Sequence, residues 1–221
     1  MLAVGSIVAA LAVLLAGCGA KEPAPQADPL RISCVGDSIT YGFGLADRAE
    51  ECWVSLVADA LPEGSRVANF GVSGACARAD GHYPWEETLR AVEFWEAEEE
   101  IVIVMLGTND VCDAAWSAEV FERDYRELVE KIRAKPGAPQ VIVMLPPAIH
   151  ASSEADARLA DEAIPALERV AQHAGACIVD LHALTADHPE WFDDGLHPNA
   201  EGNAAIAAAV EEALRSCRRD A

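Results

Sequence analysis

Three residues that together could do chemistry stand far apart in this chain. Ser38 lies in Cys34-Val35-Gly36-Asp37-Ser38-Ile39-Thr40, directly after a short apolar run. Asp194 and His197 lie near the other end, in Asp193-Asp194-Gly195-Leu196-His197-Pro198-Asn199. A serine hydroxyl becomes nucleophilic when an imidazole takes its proton, and a carboxylate can hold that imidazole in the right tautomer. Asp194 precedes His197 by three residues, with Gly195 between them to allow a tight turn. Asp193 is the competing acid. Attack on a carbonyl builds charge on its oxygen, which backbone N–H groups and side-chain amides stabilise. Gly71 in Asn69-Phe70-Gly71 offers a backbone N–H, and Asn109 in Gly107-Thr108-Asn109-Asp110 offers an amide. The Ser38 N–H is a third donor. Taken singly, each of these is an ordinary turn or capping residue. Their weight comes from the elements that would bring them together.

Apolar runs alternate with helical patterns along the chain. Strands are expected at 31–36, 65–70, 101–106, 140–147 and 176–182. Ile101 to Leu106 is apolar at every position, as a strand covered on both faces requires. Helices are expected at about 52–61, 85–97, 117–134, 154–174 and 199–216, with Pro165 breaking or kinking the fourth and Asn199 capping the last. Such alternation predicts a three-layer α/β/α sandwich around a five-stranded parallel sheet, without a second domain. Ligands gather at the carboxyl ends of such strands. Ser38, Gly71, Asn109 and the Asp194/His197 pair all fall past strand ends on that edge.

In this order, the four blocks resemble those of the SGNH, or GDSL, hydrolases. The matching stretches are Gly36-Asp37-Ser38-Ile39-Thr40, Asn69-Phe70-Gly71, Gly107-Thr108-Asn109-Asp110 and Asp194-Gly195-Leu196-His197-Pro198-Asn199. The resemblance covers essentially the whole domain. It implies a flavodoxin-like sheet and a carboxylic ester hydrolase working without cofactor. Ser38 would be the nucleophile, His197 the base and Asp194 its orienting acid. Ser38, Gly71 and Asn109 would form the oxyanion hole. A Gly-x-Ser-x-Gly elbow is absent around Ser38, so the sharp α/β-hydrolase turn is not expected. The look of the blocks is similar to bacterial sialate O-acetylesterase-like and related carbohydrate esterases, which implies removal of acetyl groups from a glycan. A lipase, lysophospholipase or thioesterase of the same family, or a surface binding module on a retained fold, are the alternatives. Trp85, Trp116 and Trp191 could offer platforms for a sugar ring, Trp116 foremost because it follows Asn109 shortly. His150, after Pro146-Pro147, could line the pocket. The remaining histidines show no ligand spacing, so no metal is expected.

The formal net charge of −21 disfavours nucleic acid and anionic lipid as partners, since both are bound through cationic contacts. The N-terminus is different in character. Leu2 to Ala16 is apolar and short for a spanning helix, and it ends in Leu15-Ala16-Gly17-Cys18. This ending is similar to a bacterial lipobox, although no Lys or Arg precedes the apolar run. A signal peptide is therefore expected at 1–17 and a lipid-anchored linker at 18–29, with lipid on Cys18 as the only membrane contact. The hydrolase domain would span 30–221, exported to the cell surface or membrane. Export would permit disulfides among the other six cysteines. Cys34 and Cys177, in expected strands, read as buried small hydrophobes. Cys76 and Cys112 could be bridged if their two loops share a site.

Overall fold

β-Branched and other apolar residues fill consecutive positions of the expected strands, and a computed structural model shows where their two faces go. The structure describes residues 28–217; the expected signal segment and Cys18 lie outside the described residues. Five strands form one sheet: β1 Arg31–Gly36, β2 Arg66–Gly71, β3 Ile101–Met105, β4 Gln140–Leu145 and β5 Cys177–Asp180. All pairs are parallel, in the order β2-β1-β3-β4-β5. Successive side chains enter opposite cores, as the pleat dictates. Val102 and Val104 of β3 pack with Val141, Val143 and Leu145 of β4 on one face. Ile101, Ile103 and Met105 pack with Ile142 and Met144 on the other.

The helices are α1 Ser38–Tyr41, α2 Arg48–Glu51, α3 Trp53–Ala60, α4 Leu89–Glu96, α5 Thr108–Cys112, α6 Ala118–Arg133, α7 Ser153–Arg158, α8 Ile164–Ala174, α9 Leu181–Thr185 and α10 Ala200–Cys217. The first core is covered by α4, α6 and α8, the second by α3 and α10. On α6, Phe121, Tyr125, Leu128, Val129 and Ile132 are all buried, at the helical spacing seen in sequence. The expected single helix at 154–174 is instead two, α7 and α8, joined by a π turn at Leu159–Ala163. Pro165 lies in the first turn of α8. It has no N–H, and its ring would meet the carbonyl four residues back, so widening the preceding turn relieves the clash.

Cysteine pairing departs from expectation. Cys177, at the start of β5, is bonded to Cys217 at the end of α10, with Cα atoms 6.4 Å apart. Cys76 and Cys112 are both free. Cys76 is buried where its N–H and carbonyl bond Tyr83 and Trp85, while Cys112 is exposed at the end of α5. Cys34 is buried and free, as a strand residue in the core should be.

Parallel pairing sets the ends of three strands level. Gly36 of β1 lies opposite both Gly71 of β2 and Met105 of β3. The strand order reverses direction between β1 and β3, and such a switch point opens a crevice at the carboxyl edge. Ser38, Gly71 and Asn109 all reach it.

Candidate active site

Ser38 opens α1 immediately after β1. Asp37 caps that short helix by accepting the Ile39 N–H at 2.9 Å. The turn leaves no room for larger residues at its entry: a Cβ on Gly36 would lie 2.1 Å from Thr40 Oγ1. The Ser38 carbonyl accepts the Gly42 and Phe43 N–H groups at 3.0 and 2.9 Å, which closes the far side of the turn. Ser38 itself is only 8% exposed.

His197 comes from the turn before α10. Its Nε2 lies 3.0 Å from Ser38 Oγ, and its Nδ1 lies 2.7 Å from Asp194 Oδ2. Asp194 Oδ1 accepts the backbone N–H groups of Leu196 and His197 at 2.9 and 2.7 Å. Partial burial pushes the Asp194 carboxyl up. The bonds from the His197 ring and from these two N–H groups outweigh that and hold it down at about 2. A carboxylate can only accept, so His197 Nδ1 carries the hydrogen and the Nε2 lone pair faces the Ser38 hydroxyl. Gly195 makes the turn possible. It has φ +77, and a Cβ there would lie 2.8 Å from Ala151 N, whose N–H it receives on its carbonyl at 2.8 Å. Asn199 caps α10 as expected, accepting the Glu201 and Gly202 N–H groups. Asp193 instead accepts from Asn199 Nδ2 at 3.3 Å.

A line of serine, imidazole and carboxylate at the switch point of a parallel sheet is the arrangement by which serine hydrolases work, and comparison with known proteins finds such a family. The model of the GDSL-like lipase/acylhydrolase family matches residues 34–205. The chain belongs to this family. It is 31% identical over 214 residues to an acetylxylan esterase of Xylanibacter ruminicola, covering 87% of this chain and 45% of that protein. The chain thus spans about half the length of the curated relative it matches. In fold it is similar to the aryl esterase of M. smegmatis, with a TM-score of 0.72 at 21% identity over 85% of this chain and 99% of that one. It is also similar to a carbohydrate acetylesterase family member from Sinorhizobium meliloti, with a TM-score of 0.70 at 21% identity over 85% and 98%. An acetylxylan esterase from Geobacillus stearothermophilus gives 0.65 at 21% identity over 84% and 94%.

In this GDSL-family chain, Asn109 lies in the first turn of α5, right after β3. One hydrogen of its amide is donated to the Ala75 carbonyl at 2.9 Å. Its neighbour Asp110, 1% exposed, accepts the Ala77 and Arg78 N–H groups at 2.9–3.1 Å. The exits of β2 and β3 are therefore tied together by consecutive residues.

Gly71 differs from expectation. Its N–H is donated to Asn69 Oδ1 at 2.9 Å, so it is engaged within β2. What demands glycine there is space, since a Cβ would lie 2.3 Å from the Tyr41 N. Asn69 completes the link by donating to the Thr40 carbonyl at 2.7 Å. The next glycine stands differently. Gly74, φ +82, sits in a turn closed by the Ala75 N–H on the Val72 carbonyl, beside the carbonyl that Asn109 holds.

Neither Trp116 nor His150 lines the cleft of about 410 Å³ that opens beside His197. The Trp116 ring packs on Phe121 with centroids 5.3 Å apart, and its N–H is donated to Glu162 at 2.8 Å. His150 Nε2 lies 3.2 Å from the Thr185 carbonyl, with its ring against Phe192. Trp85 is a core residue bonded to the Phe70 carbonyl, and Trp191 stacks on His188. The aromatic that does stand at the site is Phe43, whose ring centroid is 4.7 Å from that of His197. A larger cleft of about 670 Å³ opens around Gln140, Gly175 and Cys217, at the opposite edge of the sheet and away from Ser38.

Asn203 was invisible as a site residue in sequence. It is 1% exposed, accepts the Trp53 N–H at 3.0 Å and donates to the Pro198 carbonyl at 2.7 Å. It thereby ties the His197 turn to α3. The signal for it was its spacing, one turn along α10 from Asn199.

Proposed function

We propose that the protein is a serine esterase that removes acetyl groups from a carbohydrate. The observation that carries the reading is the unbroken line from Ser38 Oγ through His197 to Asp194, at 3.0 and 2.7 Å. Likeness to an acetylxylan esterase supports an acetylated sugar as substrate.

Ser38 Oγ attacks the ester carbonyl carbon while its proton passes to His197 Nε2. Asp194 stays ionised and stabilises the imidazolium. The carbonyl oxygen becomes an oxyanion, held by the Ser38 and Gly74 N–H groups and the free amide hydrogen of Asn109. Gly74 takes the role that sequence suggested for Gly71, because the Gly71 N–H is already donated to Asn69. Collapse breaks the carbon–oxygen bond to the sugar, which leaves with the proton from His197. Water then gives His197 a proton and attacks the acetyl carbon, releasing acetate and restoring Ser38.

Export as a lipoprotein anchored at Cys18 belongs to the same proposal. The Cys177–Cys217 disulfide supports an oxidising compartment. Palmitate labelling lost in Cys18→Ala is the expected result.

Ser38→Ala is expected to abolish turnover of p-nitrophenyl acetate with an unchanged circular dichroism spectrum; wild-type-like activity would overturn the reading. A chain-length series separates the acetylesterase, with its maximum at acetyl, from a lipase, with its maximum at medium or long chains. Failure to label with a fluorophosphonate probe would point to a binding module instead.

A further inference from the structure

The cleft beside His197 lies between the loop that follows α1 and the turn that leads into α10. Its walls include Phe43, Glu51, Asp193, Asp194 and His197. Its volume, about 410 Å³, is within the range of about 300–1,000 Å³ in which proteins hold small ligands. In ester cleavage the departing oxygen takes its proton from His197 Nε2, so the alcohol must sit on the His197 side of Ser38. Ser38, Asn109 and Gly74 do not line this cleft, which adjoins the nucleophile through His197.

We propose that this cleft holds the sugar side of a neutral glycan ester, with Phe43 as its aromatic floor and Glu51 and Asp193 as acceptors for sugar hydroxyls that also turn away anionic sugars. The proposal rests on the esterase reading above and narrows its substrate.

Phe43 is 49% exposed, yet its backbone is held to the nucleophile turn through its N–H on the Ser38 carbonyl. Glycines with φ +87 stand on both sides of it. A half-exposed ring fixed beside the base offers an apolar face for a ligand to cover, and the C–H face of a sugar ring matches it. The rim supplies acceptors. Glu51 Oε2 takes the Asp47 N–H and Asp193 Oδ1 takes the Asn199 amide, which leaves each carboxylate a second oxygen. Asp194 has none to spare, since both its oxygens serve His197 and its turn. Sugar hydroxyls are neutral donors suited to such acceptors. No Lys or Arg is among the lining residues. Arg48 instead lies over the Tyr41 ring, 3.8 Å from its centroid. A sugar bearing its own carboxylate, such as sialic acid, would meet like charges here.

The test compares kcat/KM for an acetylated xylo-oligosaccharide and an O-acetylated sialic acid, at low and high salt. The neutral ester is expected to be favoured by about tenfold or more at low salt, with the gap narrowing as salt screens the carboxylates. The gap should also narrow in the double variant Glu51→Gln/Asp193→Asn. Phe43→Ala is expected to raise KM for the xylo-oligosaccharide far more than for ethyl acetate, whose alcohol has no ring. Equal or better turnover of the anionic sugar, or equal KM changes for both esters in Phe43→Ala, overturns the proposal. Wild-type protein that hydrolyses none of these esters, ethyl acetate included, refutes the esterase reading itself.

Discussion

The Asn109 side-chain amide donates to the Ala75 carbonyl at 2.9 Å, which leaves its second hydrogen without a partner among the described residues. An amide fixed at one hydrogen is a preorganised donor at the other. Donors of this kind stabilise a developing oxyanion without having to reorient during the reaction. Asn109→Ala is expected to lower kcat by about 10²–10³ with KM little changed, since the interaction strengthens only as charge develops. A proportionate rise in KM with kcat intact would instead make Asn109 a substrate-binding residue.

Gly71 and Gly74 separate space from chemistry. At Gly71 a Cβ would strike backbone, 2.3 Å from Tyr41 N and 2.7 Å from Thr40 C, and neither atom can swing away. Gly71→Ala should therefore disrupt α1 and lower the melting temperature steeply. At Gly74 the nearest atom to a Cβ is Tyr83 Cδ1, 4.0 Å away, so the cost is the left-handed backbone, about 1–2 kcal/mol. Gly74→Ala is expected to fold, to melt a few degrees lower and to lose kcat as the donor shifts. Folded Gly74→Ala with full kcat would remove Gly74 from the oxyanion hole.

Adjacent carboxylates in the final turn face different partners. Asp194 binds His197 Nδ1, whereas Asp193 binds the Asn199 amide. Asp194→Asn presents an amide that can turn its N–H₂ toward Nδ1, which favours the wrong tautomer; the same change in another serine hydrolase costs about 10⁴ in kcat. Asp193→Asn keeps an acceptor for Asn199 and is expected to leave kcat on a small ester within a few-fold of wild type. Equal losses in the two variants would contradict the assignment.

How much of this was legible beforehand follows from range. Strand positions were readable because Ile101–Met105 and Val141–Leu145 are short, largely β-branched and apolar without interruption, as a strand covered on both faces requires. Ser38, Asn109, Asp194 and His197 were readable because each follows a strand end or precedes a capped helix. The Gly71 N–H misled because an acceptor two residues earlier, Asn69 Oδ1, captures it, and sequence carries no sign of side-chain direction. Cys177 and Cys217 meet because an edge strand starts where α10 ends, which is a fact of packing between elements 40 residues apart. Phe43 carries no signal in sequence, since one aromatic in a glycine loop has no periodicity. Trp116 is near Asn109 in sequence, but Phe121 and Glu162 hold it outside the cleft beside His197.

Asp37 carries a cost that pH should expose. Its side chain is fully buried, with Oδ1 taking the Ile39 N–H and the buried Thr108 hydroxyl beside the carboxyl. Burial pushes its carboxyl up from 3.8 to about 7; the Ile39 N–H and the Thr108 hydroxyl oppose this, and the nearby Asp110 carboxylate adds to it. The folded state then keeps a proton that the unfolded chain releases above about pH 4. Unfolding releases protons throughout that interval, so this group's contribution to stability is fully present below pH 3.8 and is lost as pH rises to about 7. Asp37→Asn retains an oxygen for Ile39 and removes the charge. Its melting temperature should match wild type near roughly pH 4 and exceed it by a growing margin toward neutral pH. The slope for one proton is at most about 1.4 kcal/mol per pH unit, which bounds the margin. A constant difference across the same range would mean that Asp37 titrates alike in the folded and unfolded chain, and that its buried oxygen finds compensation when ionised.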